Sequence, residues 1–158
     1  AGVIFGTSGG VLEASLRTLS EKLDKSSVKG LDYQINRGLD GIVEREILIG
    51  DRKLKVALAS GLNNAKMLLD RLKAGEEFDF IEVMACPGGC VNGTGMPLYP
   101  RDFDKTPLVK KRAKGLFDTD LKENVRKAHD NIQIKNLYKT FLGEPNKGLA
   151  KQILHVKR

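Results

Sequence analysis

EVMACPGGCVNGTGMP, residues 82–97, contains both cysteines of this 158-residue chain. Three residues separate Cys86 from Cys90, and two of the three are glycines. Paired thiols form a disulfide, half of a zinc site, a redox pair or two ligands of an iron–sulfur cluster. Zinc and redox pairs are typically separated by two residues, whereas glycines let the backbone approach a cluster and point amide N–H groups at its sulfurs. The pattern therefore favours a cluster over two buried structural cysteines.

Two thiolates cannot complete a metal site of either kind, because a cubane cluster and a tetrahedral zinc ion each take four ligands. The only histidines, His129 and His155, lie far along the chain in Lys-rich sequence that is typical of helices. We therefore expect the remaining ligands to come from another polypeptide.

Hydrophobic periodicity predicts an α/β lobe over residues 1–104, with a small mixed, mainly parallel sheet flanked by helices. The expected elements are a short buried strand at 3–5, a glycine-rich turn at 6–10, a helix at 11–23, hairpin strands at 42–49 and 52–59, a helix at 63–73 and a strand at 78–83. Asn63 is predicted to cap the second helix. The strand–helix–strand order before the cysteines indicates parallel pairing through a right-handed crossover.

Residues 105–158 are predicted to form an α-helical tail, with helices near 107–124, 132–142 and 147–156. The chain starts at Ala1 directly in apolar sequence, so we expect a truncated, processed or split polypeptide. No apolar run approaches the roughly 20 residues that a membrane-spanning helix needs. Two cysteines in one loop do not form a secreted-type disulfide framework, which favours a cytoplasmic location.

The net charge of +7 raises the question of a nucleic-acid partner. Basic residues concentrate in one segment without interleaved aromatic residues or a known binding motif, namely Lys105, Lys110, Lys111, Arg112 and Lys114. We interpret this segment as a solvated helix face, with neither a nucleic acid nor a membrane as partner.

Glu82 to Pro97 resembles the third cysteine signature of the iron-only (di-iron) hydrogenases, E-x-M-A-C-x-x-G-C-x-x-G-G-G-Q-P. Residues 2–14, GVIFGTSGGVLEA, are similar to the glycine-rich turn of the same catalytic domain, and HDN at 129–131, LY at 137–138, FLGEP at 141–145 and ILH at 153–155 resemble its C-terminal helical tail. The first two cysteine signatures of the family, T-S-C-C-P and M-P-C-x-x-K, do not occur in the chain. The resemblance therefore covers the second half of the catalytic domain, and it implies the remaining half as a partner.

The resemblance implies a four-iron four-sulfur cubane linked to a di-iron unit with carbon monoxide, cyanide and dithiolate amine ligands. Cys86 would ligate the cubane, Cys90 would ligate it and bridge to the di-iron unit, and Met84 would pack against that unit. The remaining cofactor-binding positions implied are Phe5, Gly6, Thr7 and Gly89. The activity implied is reversible reduction of protons to dihydrogen, with an electron carrier such as ferredoxin acting through the missing part, so the chain alone would be inactive.

Two other functions share much of this pattern. One is a hydrogen-sensing homologue, and the other is an iron–sulfur assembly factor of the nuclear prelamin recognition factor type, which carries M-A-C-P-x-G-C. The glycine-rich turn by itself also suits a phosphate, although it lacks the lysine of a P-loop. The family's G-G-G-Q-P stands here as Gly93-Thr94-Gly95-Met96-Pro97, so an amide is replaced by a thioether, and Thr94 would be strained if its position required positive φ.

Overall fold

The computed structural model describes residues 1–23 and 41–155. Its α-helices and β-strands are α1 (Gly10–Leu23), β1 (Ile42–Ile49), β2 (Arg52–Ser60), α2 (Leu62–Lys73), β3 (Phe80–Met84), α3 (Thr106–Lys122), α4 (Ile132–Leu137) and α5 (Gly148–Leu154). Short 3₁₀ turns occupy Gly2–Gly6, Cys90–Asn92 and Ala128–Asp130. The predicted α/β class with a helical C-terminal region is confirmed.

The three strands form one mixed sheet in the order β1-β2-β3. β1 and β2 are antiparallel, with Ile42 opposite Ala59, and they are joined by a tight turn at Gly50 and Asp51 as the sequence predicts. β2 and β3 are parallel, and Ser60 lies opposite Met84 at their carboxyl ends. The α2 crossover therefore brings the end of β2 beside the start of the cysteine loop.

The carboxyl half of the central strand β2, from Val56 to Ser60, is buried on both faces. On one side, Val56 packs with Leu12 and Leu16 of α1, and on the other side Ala57 and Ala59 pack with Ala65 and Leu68 of α2. Successive side chains of a strand point to opposite faces, so one apolar run serves two helices. This layering places the first turn of α1 next to the carboxyl end of the sheet.

The prediction of a strand at residues 3–5 is wrong. Gly2–Gly6 is a 3₁₀ turn in which the Ile4 N–H donates to the Ala1 carbonyl at 3.1 Å and the Thr7 N–H donates to the Ile4 carbonyl at 3.2 Å. These local bonds satisfy the backbone without a neighbouring strand, and a three-residue apolar run carries no periodicity that separates the two conformations. Ile4 is fully buried, and α3 packs against this turn.

Asn63 does not cap α2, contrary to prediction. The helix begins at Leu62, and its cap is Gly61 at φ 95°, a conformation that glycine adopts without strain. The neighbouring Asn64 side chain donates to the Ser60 carbonyl at 2.7 Å. The amide side chain that stabilises this helix start therefore lies one residue later than predicted.

Helices dominate after Pro100, as predicted. α3 buries Val109, Ala113 and Phe117, and α4 is capped by the Asn131 side chain and continues into a π-helical turn over Tyr138–Leu142. No helix among residues 1–23 and 41–155 combines the length and apolarity required to cross a membrane. The boundary between the lobe and the tail at residue 104 stays a prediction.

Candidate metal centre

The cysteine loop leaves the carboxyl end of β3 and closes two consecutive tight turns. The Gly89 N–H donates to the Cys86 carbonyl and the Gly93 N–H donates to the Cys90 carbonyl, each at 2.9 Å. Gly88 and Gly89 have φ values of 85° and 92°, in the region that favours glycine. Both thiols are free, with Cys86 half-buried and Cys90 exposed. The loop therefore presents two sulfurs on a backbone that only glycine accommodates.

The glycine-rich turn at residues 6–10 lies directly against this loop. A Cβ at Gly89 would lie 2.8 Å from the Ser8 nitrogen and the Thr7 Cα, and 2.9 Å from the Gly6 oxygen. The Ser8 N–H also donates to the Gly88 carbonyl at 3.1 Å. The structure thus brings together Gly6, Thr7 and Gly89, three of the positions singled out in the sequence.

Ser60, at the end of β2, ties both segments to the sheet. Its Oγ accepts from the Gly88 N–H at 2.7 Å and lies 3.2 Å from the Ser8 Oγ, and all these groups are buried. The Gly61 N–H donates to the Met84 carbonyl at 2.7 Å. Sequence reasoning missed Ser60, although a hydroxyl at the end of a buried apolar strand is a signal that could have identified it.

Glu82 fixes the start of α1 to β3. Its carboxylate oxygens accept from the Gly9 N–H at 2.8 Å and from the Leu12 N–H at 2.6 Å. Burial raises the pKa of Glu82, while the donated N–H groups of Leu12, Gly9 and Val11 act in the opposite direction. This contact was also missed, and its signal was a single acidic residue in an otherwise apolar strand. Glu82 acts as an N-terminal cap supplied by a distant strand.

The thiols open onto two hollows that share Met96 and Arg112 as lining residues. A hollow of about 750 Å³ is lined by Cys86, and one of about 500 Å³ is lined by Cys90 and Gly6. Every charged side chain that lines either hollow is cationic: Arg101, Lys105 and Arg112. An anionic, thiolate-ligated metal group suits such surroundings.

The remaining predicted site residues do not line either of these hollows. Phe5 lines a separate hollow of about 580 Å³ with Phe80. The Thr7 side chain is buried, and its hydroxyl donates to the Ser8 carbonyl at 3.2 Å. Met84 is half-buried at the end of β3. The roles that the resemblance implies for these residues stay predictions.

Neither histidine joins the cysteines in a metal-ligating group within the described part of the chain. The one group of three potential ligands there is Glu21, His129 and Asp130, with ligand atoms within 4.8 Å of one another. The Lys127 ammonium already pairs with both carboxylates of this group. His155 contacts Asn146 at 3.0 Å. Cys86 and Cys90 therefore fit two of the four protein ligands of a cluster.

Comparison with known proteins gives two family matches that divide the chain between them. The family described as "Iron only hydrogenase large subunit, C-terminal domain" matches residues 1–94, and "Iron hydrogenase small subunit" matches residues 106–157. The NADP-reducing hydrogenase subunit HndD of Solidesulfovibrio fructosivorans is 43% identical over 98% of this chain and 26% of its own length. Iron hydrogenase 1 of Clostridium pasteurianum is 40% identical over 99% of this chain and 28% of its own length.

A solved structure shares the fold as well as the sequence. A variant of FeFe-hydrogenase HydA1 from Chlamydomonas reinhardtii superposes with a TM-score of 0.68 and 33% identity, covering 94% of this chain and 44% of that one. A probable cytosolic Fe-S cluster assembly factor, narfl, of Dictyostelium discoideum is 31% identical over 88% of this chain and 28% of its own length. The chain thus spans about a quarter of the length of these relatives. It belongs to the iron-only hydrogenase family, and it corresponds to the C-terminal part of that family's catalytic domain.

Proposed function

We propose that this chain supplies two cysteine ligands to the active-site cluster of an iron-only hydrogenase that reversibly reduces protons to dihydrogen. One observation carries the proposal. Two free thiols lie on a glycine-containing loop that packs against the family's glycine-rich turn. They line two hollows in which every charged lining residue is cationic.

In this proposal Cys86 would hold a four-iron four-sulfur cubane, and Cys90 would hold both the cubane and a di-iron unit with carbon monoxide, cyanide and dithiolate amine ligands. When bound, this group supplies the redox chemistry of proton reduction. Met84 packs beside it at the end of β3. Phe5, Gly6, Thr7 and Gly89 contribute to the surrounding wall and backbone.

The residues of the chain hold and tune the group. Gly89 lets the glycine-rich turn approach the loop, and Ser60 and Glu82 hold the loop and that turn in place. The cationic lining stabilises the more negative, reduced state of a thiolate-ligated cluster. The other ligands come from the remaining half of the catalytic domain, through which a carrier such as ferredoxin delivers electrons. The cysteine usage supports a reducing, cytoplasmic setting.

A second candidate is iron–sulfur cluster assembly. The 31% identity to the narfl protein of Dictyostelium discoideum favours it, because that relative also aligns along most of this chain. The two proposed functions differ in their cofactor, since only the hydrogenase function needs a di-iron unit with carbon monoxide and cyanide ligands.

The test is anaerobic production of this chain together with the remaining half of the catalytic domain and the maturation enzymes. We expect cubane iron and sulfide, infrared bands of metal-bound carbon monoxide and cyanide, and hydrogen evolution with a reduced viologen. The isolated chain should evolve no hydrogen. A cubane without those infrared bands would support the assembly candidate, and a protein without iron would contradict both.

A further inference from the structure

We infer that Arg112 of α3 is a positioning residue that anchors the turn carrying Cys90 and raises the reduction potential of the bound cluster. Its Nη1 donates to the Val91 carbonyl at 3.2 Å, and its Nη2 donates to the Tyr99 hydroxyl at 2.7 Å. Val91 directly follows Cys90 in the 3₁₀ turn Cys90–Asn92. One guanidinium thus holds both the beginning and the end of the segment from residue 91 to residue 99.

Apolar packing supports the same anchor. Val91 is buried against Val109 and Ala113 of α3. Val109 lies about one helical turn before Arg112, and Ala113 directly follows it. Tyr99 stacks on Phe103 with ring centroids 4.9 Å apart, and the Arg112 guanidinium lies 5.8 Å from the Tyr99 ring centroid. Two acceptors in different directions suit the rigid fork of a guanidinium, which the ammonium of a lysine does not reproduce.

The position of Arg112 also gives it an electrostatic role. It lines both the Cys86 hollow and the Cys90 hollow, and it is the one charged residue lining the latter within the described chain. A cubane with four thiolate ligands is an anion, and reduction makes it more negative. A nearby positive charge therefore raises its potential. This part rests on the proposed cluster-binding function, whereas the anchoring contacts exist in the chain itself.

The test compares Arg112→Met and Arg112→Lys with the parent, and Lys111→Gln serves as matched control. Lys111 is exposed on the same helix and lines neither hollow. In the metal-free chain, amide hydrogen exchange is measured at Asn92 and Gly93, whose N–H groups donate within the turn at 3.0 and 2.9 Å. We expect protection to fall about tenfold in Arg112→Met, because charged hydrogen bonds are lost, and to stay unchanged in Lys111→Gln.

In the assembled, cluster-loaded protein, the midpoint potential of the cubane is titrated for the same set. We expect a lower midpoint in Arg112→Met, partial recovery in Arg112→Lys and no change in Lys111→Gln. A role limited to packing would not produce recovery with charge. An unchanged midpoint in Arg112→Met would overturn the electrostatic part of the inference.

Unchanged exchange at Asn92 and Gly93 in Arg112→Met would overturn the anchoring part. If that variant does not fold, Tyr99→Phe removes only the hydroxyl acceptor, and it should lower the same protection by a smaller factor. Unchanged protection in Tyr99→Phe would then overturn the anchor. A parent protein that loads no cluster would refute the proposed function, while the exchange data would still decide whether Arg112 holds the turn.

Discussion

The junction between the cysteine loop and the glycine-rich turn is built differently from the C-terminal helices at residues 132–155. At the junction, Thr7, Ser8, Ser60, Gly88 and Gly89 are all buried, and hydrogen bonds of backbone and hydroxyl groups connect the segments. In the C-terminal helices only Leu142 and Ala150 are buried. Large apolar side chains there are exposed instead: Ile132, Ile134, Leu137, Phe141, Leu149, Ile153 and Leu154.

This difference separates a region that is closely packed from one whose apolar side chains the described residues leave largely exposed. The loop and the turn approach so closely that a Cβ at Gly89 would lie less than 3 Å from three backbone atoms, so the junction keeps its shape within the chain. Short helices with one thinly buried face have few contacts that resist opening. We therefore expect substitutions to have large effects at the junction and small effects at the exposed positions of the C-terminal helices.

A large loss of stability is expected for Gly89→Ala. The new Cβ would meet three backbone atoms at 2.8–2.9 Å, and the residue has φ 92°. We expect a loss of about 3 kcal/mol in the free energy of unfolding, measured by urea denaturation. Gly95→Ala is the matched control, because its Cβ meets nothing within 4 Å and should change stability little. Equal effects at the two positions would contradict the contact between loop and turn.

A smaller loss, about 2 kcal/mol, is expected for Glu82→Gln. The amide keeps one acceptor oxygen and turns an NH₂ group toward an N–H donor, so either Gly9 or Leu12 loses its partner. Thermal and urea unfolding would measure the loss. Glu77→Gln is the control, because Glu77 is an exposed residue in the connection before β3, and this substitution should leave both thermal and urea unfolding unchanged. If Glu82→Gln were as stable as the parent, the carboxylate would not be holding α1.

The loop tip offers a subtler contrast between Thr94 and Met96. Among the described residues other than glycine only Asn146 has positive φ, so Thr94 is not strained. Met96 lines both hollows, and an amide there could donate to a cluster sulfur. In the loaded protein we expect Met96→Gln to raise the cubane midpoint potential and Thr94→Gly to leave it unchanged. A shift caused by Thr94→Gly alone would reverse this assignment.

The smallest effect is expected for Phe141→Ser in the C-terminal helices of the chain alone. Phe141 is 58% exposed, so the substitution should change the free energy of unfolding by less than about 0.5 kcal/mol. The adjacent Leu142 is 5% exposed, and Leu142→Ala should cost about 2 kcal/mol in the same denaturation experiment. A large loss in Phe141→Ser would show that these helices are covered within the chain.

The contrast between the two regions also explains what the sequence predicted. The hairpin was predictable because the turn at Gly50 separates two apolar runs, and α1 because its leucines repeat with helical period. Contacts between distant segments leave no such period. Ser60 contacts Gly88, 28 residues away, and Ser8, 52 residues away, and the Glu82 contact to Gly9 spans 73 residues. Only the folded chain shows which of these distant residues are partners.

Arg112 shows most clearly where sequence reasoning stops. The sequence pattern predicts that it shares a solvated helix face with Lys105, Lys110, Lys111 and Lys114. Those four lysines are exposed, whereas Arg112 is half-buried and bonded to Val91 and Tyr99. Only the packing of α3 against the turn that carries Cys90 shows which of these basic side chains faces that turn.

Infrared spectroscopy of Cys90→Ser beside Met84→Leu tests the central claim most directly. Both variants are made in the anaerobically assembled protein. A bridging thiolate anchors the di-iron unit covalently, whereas a thioether contact is packing that leucine replaces at similar volume. We predict that Cys90→Ser loses the bands of metal-bound carbon monoxide and cyanide while Met84→Leu keeps them. Retention of those bands in Cys90→Ser would contradict the assignment of this loop as the anchor of the cluster.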